Sequence, residues 1–155
     1  MVALATGPRV QTPAPVRTEP IRRFSEADLS VHGQWILKRL QQAHPTDSER
    51  KLIGWLRNLN FDNASLFLAM DAGVALFQVT SVFTLAHKPI VIERFVFAME
   101  GHIAECAEFY VAAAKWAKSQ SIEQIIVEQM SDIPHDLIKD KLGRLFTRQQ
   151  IFARV

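Results

Sequence analysis

The last third of the chain, residues 90–155, most constrains the fold, because strand-like and helical patterns alternate there over short distances. Residues 90–99 form an apolar run rich in β-branched and aromatic side chains. Residues 103–117 then place apolar side chains on one face of a helix, and residues 122–130 alternate again like a strand. A strand-helix-strand unit of this kind predicts a right-handed crossover between two parallel strands.

The residues upstream predict a short strand, two helices and a β-hairpin. Ser25 and Asp28 are spaced as in a capping box at the start of the first helix, and Thr46 or Asp47 is expected to cap the second. Asp71-Ala72-Gly73 is a hairpin turn. The expected strands are 21–24, 65–70, 74–83, 90–99, 122–130 and 146–155, and the expected helices start near 25, 46, 103 and 132.

These elements predict an α/β (α+β) fold over residues 21–155, with a mixed central sheet flanked by helices on both faces. The element order is β-α-α-β-β-β-α-β-α-β. At 155 residues, of which 48% are hydrophobic, the chain has the size and apolar content of one domain with one ordinary core.

Residues 1–20 form a separate segment that contains four of the seven prolines. Proline removes backbone donors and favours extended backbone, so this segment is expected to be an arm that packs no core of its own. We expect the arm to contact other protein subunits through Arg9, Pro13, Pro15 and Arg17. A solvated tail is one alternative; contact with nucleic acid is weakly supported, because the net charge is only +2.

The cysteine and histidine content gives no reason to expect a metal site. Cys106 is the only cysteine, which excludes an intramolecular disulfide and favours an inert buried thiol. The histidines lack the i, i+4 spacing of a helical metal pair. No secretory signal and no apolar run of membrane-spanning length are present, which indicates a soluble intracellular protein.

Three stretches, taken in order, resemble one known family. They are Ile21 to Leu29, residues 101–127 with Phe109 to Lys118 at their centre, and residues 137–155 with Leu142-Gly143 at a turn. They resemble the GCN5-related N-acetyltransferases (GNAT). The resemblance implies the GNAT fold and, for an active member, acetyl transfer from acetyl-CoA to an amine.

The loop before the central helix departs from this family's pattern. An active member is expected to carry a glycine-rich loop whose backbone amides approach the pyrophosphate of acetyl-CoA. Here the segment from Ala98 to Ala104 keeps one glycine, and Glu100 would repel a phosphate. The candidate cofactor-binding residues are Gly101, His102, Ile103 and Ala104, and we expect weak acetyl-CoA binding at best.

The catalytic residues implied by the resemblance are also incomplete. The position of the family's tyrosine general acid holds Lys139, which is more typical of a solvated helix lysine. Glu93 is the best candidate for a general base, because a carboxylate in an apolar strand can have a raised pKa, and His87 and His102 rank behind it. The alternative places Glu93 on the solvent face of its strand, paired with Arg94 or Lys88.

Two functions follow from these patterns. The first is a non-catalytic GNAT-like structural or assembly protein without a cofactor. It would be a phage virion component near the portal and tail or an internal protein, held by its arm, able to form homo-oligomers and found in the virion or the host cytoplasm. The second is a divergent N-acetyltransferase that moves an acetyl group from acetyl-CoA to an amine.

Overall fold

The computed structural model describes residues 20–80, 88–127 and 130–143. The described elements follow the predicted order. The strands are β1 (Arg22–Arg23), β2 (Ser65–Met70), β3 (Gly73–Thr80), β4 (Ile90–Ala98) and β5 (Ile125–Ile126). The helices are α1 (Glu26–Ala43), α2 (Glu49–Asn58), α3 (Ile103–Cys106), α4 (Glu108–Ser119) and α5 (His135–Gly143), with a short 3-10 turn (Leu59–Phe61) after α2. The predicted arm up to residue 19 and the closing strand at 146–155 lie outside the described residues.

The five strands form one sheet in the order β1-β2-β3-β4-β5. Neighbours from β1 to β4 are antiparallel, whereas β5 runs parallel to β4, as the strand-helix-strand pattern predicted. One face of the sheet packs against α1 and α2, and the other packs against α4 and α5. Because both faces are covered, every residue of β2 is buried, which explains its continuous apolar run.

Two predicted helix boundaries were wrong. Ser48, rather than Thr46 or Asp47, caps α2, since its hydroxyl accepts a hydrogen bond from the Lys51 amide at 3.2 Å. The predicted single central helix is divided at Ala107 into α3 and α4, and Ile103 is 40% exposed instead of buried. The strand predicted at 122–130 is regular only at Ile125–Ile126.

A β-bulge lies in the middle of β4. Leu76 of β3 pairs with Phe95, but the next residue, Phe77, pairs with Glu93, so Arg94 is an extra residue without a cross-strand partner. A bulge interrupts the alternation of side chains between the two faces of a strand. Val91, before the bulge, therefore packs on the α4–α5 side of the sheet, whereas Phe95 and Phe97, after it, pack on the α1–α2 side. Glu93 is buried and Arg94 is exposed.

Asp28 joins the start of α1 to β1. Its carboxylate accepts hydrogen bonds from the Ser25 amide at 2.9 Å, the Ser25 hydroxyl at 3.0 Å and the Arg22 guanidinium at 2.6 Å. Burial alone raises the pKa of Asp28, but the bonds from Arg22 and Ser25 outweigh it and lower the pKa below its ordinary value of 3.8. The predicted capping residues are therefore correct.

Replacing Asp28 by Asn should make stability less sensitive to acid. A lowered folded-state pKa contributes stability that is present above the unfolded value of 3.8 and is lost as the pH falls through the folded value. We expect Asp28→Asn to cost about 1–2 kcal/mol at neutral pH and to flatten the acid limb below about pH 4. Urea unfolding across this pH range measures both; an acid limb unchanged from that of the exposed Asp136→Asn control would contradict the assignment.

None of the helices among the described residues has the length and hydropathy of a membrane-spanning segment.

Candidate functional site

A chain of buried polar groups connects β4, α4 and the segment after β5. Glu93 has no exposed surface, and its Oε2 accepts a hydrogen bond from the Tyr110 hydroxyl at 3.2 Å. The same hydroxyl lies 2.6 Å from the Ser131 Oγ. Burial first, and then the Glu93 charge, raise the pKa of Tyr110 above its ordinary value, so the phenol keeps its proton. The alternative that placed Glu93 on the solvent face of its strand is wrong.

Ser131 ends this chain near the surface. It is half-buried, and its Oγ also accepts a hydrogen bond from the Ile133 amide at 3.1 Å. Neither Tyr110 nor Ser131 is among the site residues predicted from the sequence. The structure adds both residues to the surroundings of Glu93, and we call Glu93, Tyr110 and Ser131 the hydroxyl relay.

The segment after β5 returns to β4 beside this relay. The Val96 amide donates to the Met130 carbonyl at 3.2 Å, and the Asp132 amide donates to the Val96 carbonyl at 2.9 Å. The Asp132 carboxylate also accepts a hydrogen bond from the Ala98 amide at 2.9 Å. The Val96 amide and carbonyl and the Ala98 amide are thereby bonded within the chain.

Arg39 of α1 binds the same Asp132 carboxylate. Its guanidinium binds both carboxylate oxygens of Asp132, with one contact at 2.9 Å, and lies over the Phe97 ring at 4.4 Å from its centre. Bidentate arginine–carboxylate pairs are among the stronger and more directional ion pairs. We call this arrangement of Arg39, Asp132 and the β4 backbone the Arg39–Asp132 lock.

The loop after β4 borders a cavity of about 590 Å³. Gly101 has a φ of +83°, and a side chain added there would meet nothing within 4 Å. His102 contacts Glu105 at 3.0 Å and is exposed. Of the four predicted cofactor-binding residues, Gly101 and Ile103 line this cavity, whereas His102 and Ala104 are absent from its described wall. The wall consists of Trp35, Arg39, Ala98, Met99, Glu100, Gly101, Ile103 and Asp132.

A second cavity, of about 490 Å³, opens on the α1–α2 side of the sheet at the bulge. We call it the Trp55 cavity. Sequence reasoning missed it, because no motif marks a cavity whose walls come from distant parts of the chain. Its described wall consists of Leu40, His44, Asp47, Lys51, Leu52, Trp55, Gln78, Arg94, Phe95 and Met130.

The other predicted site residues belong neither to the hydroxyl relay nor to the described walls of the two cavities. Lys139 is exposed on α5, and Cys106 is fully buried with its thiol 3.3 Å from the Ala72 carbonyl oxygen. His87 and the arm residues Arg9, Pro13, Pro15 and Arg17 lie outside the described residues. Within residues 20–80, 88–127 and 130–143, no three histidine, cysteine, aspartate or glutamate side chains are grouped as metal ligands.

Comparison with solved structures identifies the fold. The chain matches an aminoglycoside 6'-N-acetyltransferase from Acinetobacter haemolyticus (18% identity, TM-score 0.53) and an acetyltransferase from Trypanosoma brucei (16%, 0.56), covering 88% of this chain in both cases and 94% and 97% of theirs. It also matches AAC(6')-Iy in complex with the bisubstrate analogue CoA-S-monomethyl-acetylneamine (15%, 0.51; 88% and 97% covered). No family model and no curated protein matches.

These matches show that the chain has the GNAT fold, as the sequence resemblance predicted. They contradict the prediction of a non-catalytic virion component, because the three structures named above are acetyltransferases; a phage origin and a virion location have no support. That prediction rested on the divergent loop, the absent tyrosine and the proline-rich arm. The fold persists here at 18% identity or less.

The conformation described does not fit acetyl-CoA. Beside the loop, the backbone groups of Val96 and the Ala98 amide are already bonded to residues 130–132, so a ligand along this part of β4 would have to displace them. At the phosphate end, Gly101 permits close approach of the backbone, but the adjacent Glu100 carries the wrong charge for a diphosphate. Arg39, the cation in the described cavity wall, is already paired with Asp132.

Proposed function

We propose that this protein is a divergent N-acetyltransferase that transfers an acetyl group to an amine. The observation that carries the proposal is the hydroxyl relay. It connects the buried Glu93 carboxylate at the β4 bulge to Ser131 in the segment after β5. The likeness to three acetyltransferase structures supports the same class of reaction, although at their identities it establishes the fold alone.

The relay would serve to remove a proton from the acceptor. An ammonium group is not a nucleophile, so the nitrogen must lose a proton before or during its attack on an acyl carbon. Ser131 would accept that proton as it passes its own to Tyr110, and Tyr110 would pass its proton to Glu93. The raised pKa of Tyr110 suits this role, because the phenol carries a proton onward without remaining charged.

The Arg39–Asp132 lock leads to a testable prediction about how tightly the acetyl donor binds. Asp132→Ala removes the ion pair and frees the Ala98 amide, so acetyl-CoA no longer competes with these contacts for β4. We expect its dissociation constant to fall about tenfold, equivalent to about 1.4 kcal/mol. Isothermal titration calorimetry of the full-length protein measures this change.

Asp136→Ala is the matched control for this experiment. It removes one negative charge from α5 at an exposed position outside the lock, and so separates a general effect of charge from the opening of β4. If both variants bind acetyl-CoA equally, the lock does not restrict the donor.

Acetyl transfer itself is tested by mass spectrometry of amine mixtures incubated with the protein and acetyl-CoA. The expected result is a mass gain of one acetyl group on particular amines, dependent on the protein and absent with Glu93→Gln. If neither the wild type nor Asp132→Ala acetylates any amine at millimolar donor, the proposed function is wrong.

A further inference from the structure

The Trp55 cavity contains a cation held in a fixed orientation. Arg94 Nε donates to Gln78 Oε1 at 2.7 Å, and Gln78 Nε2 donates to the Ser65 hydroxyl at 2.9 Å. The Ser65 hydroxyl in turn donates to Asp62 Oδ2 at 2.9 Å. This series of hydrogen bonds runs from the 3-10 turn across β2 and β3 to the bulge of β4, so the guanidinium is held in place before any ligand arrives.

The rest of the Arg94 guanidinium is available to a ligand. A guanidinium has five N–H donors. In Arg94, Nε is the only guanidinium nitrogen that forms a hydrogen bond with another described residue. Its two terminal nitrogens present the forked geometry that binds a carboxylate through two parallel hydrogen bonds.

The described cavity wall carries a positive excess. Lys51 pairs with Asp47 at 2.8 Å, so these two charges offset each other. The Lys51 hydrogen bond, and then the Lys51 and His44 charges, lower the pKa of Asp47, which keeps that carboxylate ionised. Arg94 forms no salt bridge within the described part of the chain. A bound anion would therefore meet a complementary charge, whereas a polycation would be repelled.

Most of the remaining wall is apolar. It presents the side chains of Leu40, Leu52, Trp55, Phe95 and Met130, and Trp55 is 37% exposed. A concave apolar site with one directional charged group is typical of a small-molecule site in which the apolar body supplies affinity and the polar group sets orientation. Met130, which lies in the cavity wall, is next in the chain to Ser131, the surface end of the hydroxyl relay.

We propose that the acceptor is a free amino acid with an apolar or aromatic side chain, whose carboxylate is bound by Arg94 in the Trp55 cavity. This inference rests on the proposed function for the role of the amine, but the carboxylate site stands on its own geometry. It distinguishes this chain from the aminoglycoside acetyltransferases of the same fold, since aminoglycosides are polycations without a carboxylate.

Three related ligands test the carboxylate site without any acetyl donor. Phenylalanine has the amine and the carboxylate, 3-phenylpropanoate lacks the amine, and phenethylamine lacks the carboxylate. Calorimetry of the full-length protein should show binding of the first two and at least about tenfold weaker binding of phenethylamine. No binding of 3-phenylpropanoate up to about 10 mM, or equal binding of all three ligands, would overturn the site.

Substitutions then assign the effect to Arg94. Arg94→Gln should weaken both carboxylate ligands by about tenfold or more and leave phenethylamine unchanged, and Arg94→Lys should restore part of the loss. Arg50→Gln, at an exposed position on α2, is the matched control and should change nothing. Equal thermal unfolding midpoints for Arg94→Gln and the wild type show that the variant is folded; if Arg94→Gln binds the carboxylates as the wild type does, the proposal is wrong.

The two proposals fail separately. Carboxylate binding that depends on Arg94, without acetylation of any amine, leaves the anion site and removes the proposed function. Acetylation of amines that lack a carboxylate, at a rate unchanged by Arg94→Gln, leaves the proposed function and removes the anion site.

Discussion

Glu93→Gln should lower kcat/KM for amine acetylation by roughly a hundredfold or more, because it removes the carboxylate that accepts the proton and keeps the shape of the side chain. Tyr110→Phe removes the hydroxyl that joins Glu93 to Ser131 and should cost about tenfold. Steady-state rates across the pH range measure both effects.

Glu123→Gln is the control for this experiment, since it makes the same chemical change at an exposed position before β5. Because Glu93 is fully buried, its variant must also keep the unfolding transition of the wild type. A folded Glu93→Gln protein that retains more than about a tenth of the wild-type kcat/KM would exclude Glu93 as the base.

The second large effect concerns stability and arises at Gly73, the first residue of β3. A Cβ placed there would lie 2.3 Å from the Phe97 carbonyl oxygen and 2.6 Å from the Cys106 Sγ. A backbone oxygen cannot move away without distorting β4, so Gly73→Ala should cost about 3 kcal/mol, more than a hundredfold in the folding equilibrium. Urea unfolding measures the loss.

Gly54→Ala provides the matched control for Gly73→Ala. A Cβ at Gly54 meets nothing within 4 Å, and alanine is the better helix former, so this variant should gain up to about 1 kcal/mol. If Gly73→Ala unfolds at the same urea concentration as the wild type, α3 does not pack against the β2–β3 hairpin as described.

The order of elements could be predicted because each depends on local patterns. The capping box of Ser25 and Asp28 marks the start of α1, and the apolar run of β4 is long enough to indicate a strand. The start of α2 could not be resolved in the same way, since Thr46, Asp47 and Ser48 are consecutive residues that all favour a cap. The division of the central helix at Ala107 has no local signal, because no glycine or proline lies between Ile103 and Ser119.

The candidate site was predictable only in part. Glu93 stands out as a carboxylate within an apolar strand, but Tyr110, which contacts it, and Ser131, which contacts Tyr110, are 17 and 38 residues away in the chain. Arg39 and Asp132 are 93 positions apart, and the bulge at Arg94 depends on register with β3. Such contacts depend on how the helices pack against the sheet. The periodicity of apolar residues in the sequence does not specify that packing. The family resemblance predicted the fold correctly. The absence of the glycine-rich loop from this chain contributed to the wrong preference between the two functions.

The bulge in β4 has a consequence for how this protein can change. The extra residue places Arg94 and Phe95 together on the α1–α2 side of the sheet, while Glu93 lies on the other side beside Tyr110. A substitution at Arg94 can therefore alter what the solvent-facing cavity accepts while the sheet shields the carboxylate behind it. Selection can then change ligand binding at Arg94 and still keep Glu93 as the proton acceptor, although the two residues are adjacent in the sequence.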